Sequence, residues 1–331
     1  MRKGIHLYSG GLDSLLAAKL LMDQGIELVG LHFVLPFAPL DADPDASDES
    51  RRAANIGLKL RHERCGMDYI KMAANPPHGF GSNMNPCIDC KIFFMRRAAQ
   101  IMKEEGASFV STGEVLGQRP MSQTKDMLNH IKKETELDGF LLRPLSALLL
   151  KPTIAEDEGI VDRSKLLDIS GRGRSRQMAL AAEWGITDYA APAGGCLYTD
   201  PNVARRIKDL YRYHSDFCER DLYLLSFGRH FRLNEKARMI VSRNEHETNE
   251  LEKYAPHADL FLRPDFTGPC IYVAGDVSGV DVNFLVSVLA RYGTPGKHGT
   301  EKVFVSGRDG FTEERSAGAP ADDAVLEAMR I

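Results

Sequence analysis

The sequence has no apolar run approaching the roughly 20 residues that a membrane-spanning helix requires. Its longest apolar stretches, 26–40 and 140–150, are broken by Glu27, His32 and Pro36 and by Arg143 and Pro144. The opening Met1-Arg2-Lys3-Gly4-Ile5-His6-Leu7 leads straight into a strand pattern without a cleavage site. No membrane partner and a cytoplasmic location are therefore expected. Cysteine is scarce and scattered, with six in 331 residues, which is too sparse for a secreted disulfide framework and directs attention to thiol, metal or redox chemistry. Excess positive charge is also missing. At a net charge of −4 any nucleic acid must be held by local basic patches.

What is present is an ordinary globular composition, 43% apolar and 27% charged, in a chain long enough for two domains. Short apolar runs at 4–8, 27–33, 60–64, 108–111 and 139–142 alternate with helical patterns at 12–24, 50–58, 88–105 and 175–184. This order predicts an α/β domain with a parallel sheet flanked by helices, whose ligands bind at the carboxyl ends of the strands. The acidic stretch 41–49 reads as a solvated loop. After a junction near 211–221 the pattern restarts, with strands expected at 222–225, 237–241, 260–262, 269–273 and 302–305 and helices at 245–254 and 280–292. The expected division is 1–218 and a smaller α+β domain, 219–331. Residues 307–321, rich in Gly, Asp and Glu, are expected to be mobile.

Ser9-Gly10-Gly11-Leu12-Asp13-Ser14 follows the first strand and opens the first helix. Unpaired backbone N–H groups and the helix dipole create an anion site there, and the two glycines let the backbone approach an anion closely. Ser9 and Ser14 can add hydroxyl donors, whereas Asp13 fits beside phosphate if it carries a magnesium ion. This string resembles the SGGxDS signature of the PP-loop ATP pyrophosphatases and matches it at every position. The resemblance implies a PP-loop/HUP-like, adenine nucleotide alpha hydrolase-like fold, with Ser9 to Ser14 holding the β,γ-pyrophosphate of ATP. His32 and Phe33, at the end of the second strand, are expected to border the nucleotide.

Asn85-Pro86-Cys87-Ile88-Asp89-Cys90-Lys91 sets a CxxC pair at a helix start, where the dipole favours thiolate. Cys196 follows Gly194 and Gly195. By themselves these thiols suit a redox pair or half a zinc site. Both segments resemble the tRNA-thiolating PP-loop enzymes, whose members with CxxC and a distant cysteine carry an iron–sulfur cluster. That implies a [4Fe–4S] cluster on Cys87, Cys90 and Cys196 with one iron left open for sulfide. Persulfide chemistry on the same thiols is the rival and zinc a third option. Cys65, Cys218 and Cys270 lie in no motif and are expected to be packing residues.

Thr112-Gly113-Glu114, Leu116-Gly117-Gln118, Ser122-Gln123-Thr124 and Arg143-Pro144-Leu145 together resemble the tRNA 4-thiouridine synthases. The likeness implies that Gly113 and Glu114 border the nucleotide, and Gln118 and Gln123 the reacting base or phosphate. Those enzymes carry an N-terminal THUMP region before the PP-loop domain, and this sequence starts at the PP-loop domain. Residues 238–251 are similar to the RNA-binding NFACT-R domain, with Ser242 where its motif has glycine, and this makes Arg243 a candidate RNA contact. Among three basic clusters, Lys91/Arg96/Arg97, Arg172/Arg174/Arg176 and Arg205/Arg206/Lys208/Arg212, the Gly-punctuated arginines Arg172, Arg174 and Arg176 best suit phosphate. The resulting expectation is an ATP-dependent tRNA sulfurtransferase, with Asp13 and the three cysteines as catalytic residues. Its partners would be tRNA and a sulfur donor (cysteine desulfurase or inorganic sulfide), and a homodimer is compatible. Alternatives are 2-thiolation of the wobble uridine, a PP-loop amidating ligase, and a non-catalytic RNA-binding factor.

Overall fold

The computed structural model describes residues 2–190, 196–296 and 301–331. Two compact units meet between Thr199 and Asp200, earlier than the 218/219 boundary expected from composition. The reason lies in the helix Pro201–Tyr213, which is tied to the later chain. Arg206 donates to the carbonyls of Leu225 and Gly228, and Arg232 pairs with Asp209.

In the first unit, strands β1 (Lys3–Tyr8), β2 (Glu27–Val34), β3 (Lys59–Arg64), β4 (Phe109–Thr112) and β5 (Leu141–Leu142) form a sheet in the order β3-β2-β1-β4-β5. All four pairings are parallel. Because successive strand side chains alternate between faces, the sheet feeds two cores. Tyr8, Leu28, Phe109 and Leu142 pack with α1 (Leu12–Met22) and α7 (Ser175–Glu183). Ile5, Leu31, Val110 and Leu141 pack with α4 (Cys87–Glu104) and α5 (Lys125–Glu134). Helix α1 is buried almost all round, as its sequence LDSLLAAKLLM requires. By contrast, α4 buries the stripe Ile92, Met95, Ala99 and Met102. The helices α2 (Asp48–Asn55), α3 (Met67–Ala74) and α6 (Ile154–Asp157) complete the unit.

Strand order reverses between β1 and β4. In an open parallel sheet this switch point leaves a crevice beyond the strand ends. The loops that emerge there are 9–14 after β1 and 113–124 after β4, so the sheet topology brings the two polar motifs together.

The second unit contains the helix Pro201–Tyr213, α8, and a six-stranded antiparallel sheet, β11-β10-β8-β9-β7-β6. Its strands are β6 (Arg229–Arg232), β7 (Ala237–Val241), β8 (Leu260–Pro264), β9 (Ile271–Gly275), β10 (Lys302–Gly307) and β11 (Thr312–Ser316). One face packs with α11 (Val282–Tyr292) and α12 (Asp323–Met329), the other with α9 (Glu219–Leu224) and α10 (Glu245–Lys253). Two expectations are corrected here. Residues 222–225 belong to the end of a helix rather than a strand, because Asp221 reaches back to the Cys218 N–H at 2.9 Å and caps α9. The segment expected to be mobile holds β11, paired antiparallel with β10. No described helix is long and apolar enough to cross a membrane.

Candidate functional site

The phosphate loop is held from below by a residue with no motif around it. His6 on β1 is fully buried, with Nε2 2.9 Å from the Ser14 carbonyl and Nδ1 2.9 Å from the Ser111 hydroxyl. Since a carbonyl only accepts, Nε2 carries the proton. Burial pushes the imidazole pKa down to about 4, so the ring is neutral and anchors the first turn of α1 to β1 and β4. Within the loop, Ser14 Oγ donates to the Gly11 carbonyl at 2.8 Å and lies 3.4 Å from Ser9 Oγ. Gly10 has φ +68° and faces the Glu49 side chain, where a Cβ would come within 2.9 Å, so this turn needs glycine.

The loop after β4 leans on this helix start. A Cβ on Gly113 would lie 2.5 Å from Ser14 N and 2.6 Å from Asp13 C, so only glycine allows the two backbones to approach. Gln118 Nε2 donates to Asp13 Oδ2 at 3.0 Å, while the buried Asp13 Oδ1 accepts no hydrogen bond. The buried Gln123 Oε1 is likewise without a partner. Glu114, expected to border the nucleotide, is instead buried between two cations: Lys91 on the thiol-bearing helix and Arg143, whose Nε lies 2.9 Å away. Burial alone would raise its pKa, but the two cations hold the carboxyl down at about 2. It braces α4 against the loop.

Cys87 opens α4 and Cys90 follows one turn later. The Cys196 segment is brought to them by the backbone just before α4. Asn83 Nδ2 donates to the Thr199 carbonyl at 2.7 Å and Met84 N to the Tyr198 carbonyl at 3.1 Å. Burial first, then Cys196 and Cys87, push the Cys90 thiol up to about 12, offset in part by the Tyr69 hydroxyl at 3.4 Å and by Lys91. Burial and Cys87 also raise the Cys196 thiol. Cys87 Sγ lies 3.5 Å from the buried hydroxyl of Ser122. Gly194 and Gly195 lie outside the described residues.

A single loop therefore touches both motifs. From 113 to 124 it meets Asp13 through Gln118 and Cys87 through Ser122. The donor set suits its two expected occupants. An orphaned buried carboxylate oxygen on Asp13 suits a hard cation such as Mg2+, and three free, partly buried cysteines, Cys87, Cys90 and Cys196, offer the donor type of an iron–sulfur group. A tetrahedral zinc would need sulfurs about 3.8 Å apart, given Zn–S of about 2.3 Å. Among the described residues, a set of three metal-ligating atoms mutually within 4.8 Å occurs at His78, His130 and Glu134, not at these cysteines.

The other expected residues have the following partners. Phe33 stacks on Phe94 with ring centroids 4.2 Å apart, on the α4 side of the sheet. His32 Nδ1 lies 3.0 Å from His62 Nδ1, and burial lowers its pKa. Arg243 is closed onto Glu247, with Nε at 2.8 Å. Of the basic clusters, Lys91, Arg96 and Arg97 are absorbed by Glu114, Glu134 and Glu63. Arg206 is partly buried, its pKa lowered to about 10 by burial. Arg172 is exposed, Arg174 leaves a buried Nε without a partner, and Arg176 pairs with Asp168 at 2.8 Å. Cys65 and Cys270 are buried packing residues, whereas Cys218 helps to cap α9, its Sγ 3.3 Å from Asp221.

A five-stranded parallel sheet with an SGGLDS loop at its switch point is the arrangement expected of a PP-loop domain. More particularly, residues 1–156 match the family described as "Thiamine biosynthesis protein (ThiI)", and residues 228–328 match "NFACT protein RNA binding domain". The chain is 28% identical over 177 residues to a probable tRNA sulfurtransferase of Methanosarcina mazei, covering 51% of this chain and 38% of that protein. A probable tRNA sulfurtransferase of Thermus thermophilus is 31% identical over 158 residues, or 47% of this chain and 37% of that protein. The chain thus spans well under half the length of the curated relatives it matches. Among solved structures, a 4-thiouridine synthetase–RNA complex with bound ATP aligns at TM-score 0.35 and 19% identity, over 67% of this chain and 52% of that one. A U34-tRNA thiolase of Methanococcus maripaludis with its [4Fe-4S] cluster aligns at TM-score 0.34 and 17% identity, over 67% and 69%.

Proposed function

We propose that the protein is an ATP-dependent tRNA sulfurtransferase that adenylates a uridine oxygen and replaces it with sulfur, forming 4-thiouridine at tRNA position 8. The observation that carries this reading is the loop 113–124, which joins the ATP-side carboxylate Asp13 to the thiol Cys87 through Gln118 and Ser122. A ligase that delivers ammonia has no need for three cysteines beside its phosphate loop. The match of residues 228–328 to an RNA-binding domain supports RNA as the substrate, and Arg172, which is exposed, offers a planar donor of its cluster to phosphate.

Uridine O4 is a poor leaving group. The N–H groups at the start of α1, with the Ser9 and Ser14 hydroxyls, would stabilise the pyrophosphate that departs when O4 attacks the α-phosphate. Gly113 keeps the loop close enough to α1 for these donors to converge. A magnesium ion on Asp13 would offset the phosphate charge. Sulfide, supplied directly or by a cysteine desulfurase, then adds to C4 and O4 leaves with AMP, with no net oxidation or reduction. If the sulfur arrives as a persulfide on one cysteine, a second cysteine must close a disulfide to release it. A [4Fe–4S] cluster on Cys87, Cys90 and Cys196 would supply an open coordination position for sulfur. The chain's part is to hold the three thiols together, through Asn83 and Met84 pairing with Thr199 and Tyr198.

Nucleoside mass spectrometry of tRNA from a strain lacking the gene tests the proposal. Loss of 4-thiouridine is expected. Loss of a 2-thiouridine would instead assign the enzyme to the wobble base, and unchanged levels of both would overturn the function.

A further inference from the structure

A second group of ligating side chains lies behind the thiol-bearing helix, and neither the ATP site nor the cysteines use it. His130 and Glu134 stand one turn apart on α5, and His78 lies in the segment between α3 and α4. Their three ligating atoms form a closed triangle. His78 Nε2 is 3.1 Å from His130 Nε2 and 3.3 Å from Glu134 Oε2, and His130 Nε2 is 3.0 Å from the same oxygen. A tetrahedral zinc with Zn–N and Zn–O of about 2.0–2.2 Å has ligand–ligand edges of about 3.4 Å. The triangle matches one face of such a tetrahedron to within a few tenths of an ångström.

The proton inventory points the same way. Asp89 is 4% exposed, and its Oδ1 sits 2.8 Å from His78 Nδ1 while Oδ2 accepts the His78 backbone N–H at 3.0 Å. A carboxylate oxygen accepts here, so the Nδ1 of His78 carries the hydrogen, and in the neutral ring Nε2 presents its lone pair to the other two ligands. Glu134 Oε1 is occupied by Arg96 at 3.4 Å, but the buried Oε2 accepts no hydrogen bond. With His78 neutral, at most one proton, from His130, is available to the two lone pairs that face it. Something positive is wanted at the centre. The Asp89–His78 pair is the carboxylate–histidine arrangement that orients a metal-ligating imidazole and raises its basicity.

We propose that His78 Nε2, His130 Nε2 and Glu134 Oε2 bind a divalent transition-metal ion of the zinc class, with Asp89 orienting His78 and a water completing the tetrahedron. His130 is 48% exposed, which leaves that water a route to solvent. Two imidazoles and one carboxylate suit zinc better than magnesium or calcium, which prefer all-oxygen sites. The ion fastens the segment leading into Cys87 to α5, and Asp89 lies on α4 between the two thiols, so the site stiffens the approach to the cysteine centre.

The test uses the full chain carrying Cys87→Ser, Cys90→Ser and Cys196→Ser, so that the motif thiols contribute no metal binding, after treatment with chelator. Titration with Co2+ is expected to bind one equivalent, with tetrahedral d–d absorption and no thiolate charge transfer, and Zn2+ should displace it. His130→Ala and Glu134→Gln should each weaken binding at least 100-fold, and Asp89→Asn about 10- to 100-fold. His130 is exposed enough for its variant to fold, and Glu134→Gln, isosteric, serves if it does not. Failure to bind cobalt would overturn the proposal, as would binding that survives both substitutions. In the first case the triangle would be held by a proton on His78, whose pKa the Asp89 carboxylate raises.

Discussion

Replacing Gly113 by alanine puts a methyl group in place of a hydrogen at the point where the two polar loops meet. The new Cβ would stand 2.5 Å from Ser14 N and 2.6 Å from Asp13 C, whereas ordinary contact begins at 3.4 Å. Both neighbours are backbone, so no side chain can swing aside. One of the two loops must retreat by about 0.9 Å. The α1 start is held by His6 beneath it and by the buried Leu15 and Leu16, so the loop 113–124 yields. That motion draws Gln118 away from Asp13 and Ser122 away from Cys87. Overpacking costs about 1–3 kcal/mol of stability. A misplacement of this size costs about 100-fold in rate, or about 2.7 kcal/mol of transition-state stabilisation. The assay is tRNA-dependent release of pyrophosphate from ATP, with kcat/KM for ATP as the readout and thermal unfolding alongside. Gly318→Ala, where a Cβ meets nothing within 4 Å, is the control and should behave as wild type. A Gly113→Ala protein with unchanged kcat/KM would refute the claim that this backbone contact sets the geometry of the ATP site.

Two further outcomes follow from buried charge. Glu114→Gln leaves Arg143, 4% exposed, and Lys91 without their counter-charge; urea denaturation should show a loss of about 3–5 kcal/mol, and a loss below 1 kcal/mol would mean the cations find other partners. His6 concerns acid stability. Its folded pKa of about 4 lies below the ordinary 6.5, so the unfolded chain binds more protons between those values and stability falls as pH drops through that window. At about 1.36 kcal/mol per pH unit, the loss reaches about 2 kcal/mol by pH 5 and about 3 kcal/mol below pH 4. Denaturation of wild type and His6→Gln at pH 7 and pH 5 measures it, and equal pH dependence in the two proteins would contradict it.

The parallel sheet and the phosphate loop were readable because both rest on local signals, short apolar runs and a glycine turn between strand and helix. The second unit was harder. Leu222-Tyr223-Leu224-Leu225 is apolar without a period, so the run alone does not distinguish a strand from the end of a helix, and the deciding Asp221 cap is a polar contact of a kind seldom legible in a chain this rich in aspartate. Motif resemblance located Glu114 but not its direction, since the partners that turn it inward, Lys91 and Arg143, lie 23 and 29 residues away. The stacking of Phe33 on Phe94 is not legible either, because it depends on how α4 crosses the sheet. His6 carries no motif at all. A histidine inside an otherwise apolar strand, followed by a glycine turn, is the signal that would have pointed to it. The His78, His130 and Glu134 group was invisible because its first two members are separated by 52 residues and its orienting carboxylate, Asp89, is concealed inside the CxxC pair.

The central claim is that ATP cleavage and sulfur insertion occur at one composite site. Purified protein prepared without oxygen, incubated with unmodified tRNA, Mg-ATP and sulfide, and followed by nucleoside mass spectrometry with parallel AMP quantification, tests it directly. One 4-thiouridine per AMP is predicted for wild type, with none formed by Asp13→Asn or Cys196→Ser. AMP released without any thiolated nucleoside, or thiolation that persists in the Cys196→Ser protein, would contradict the account.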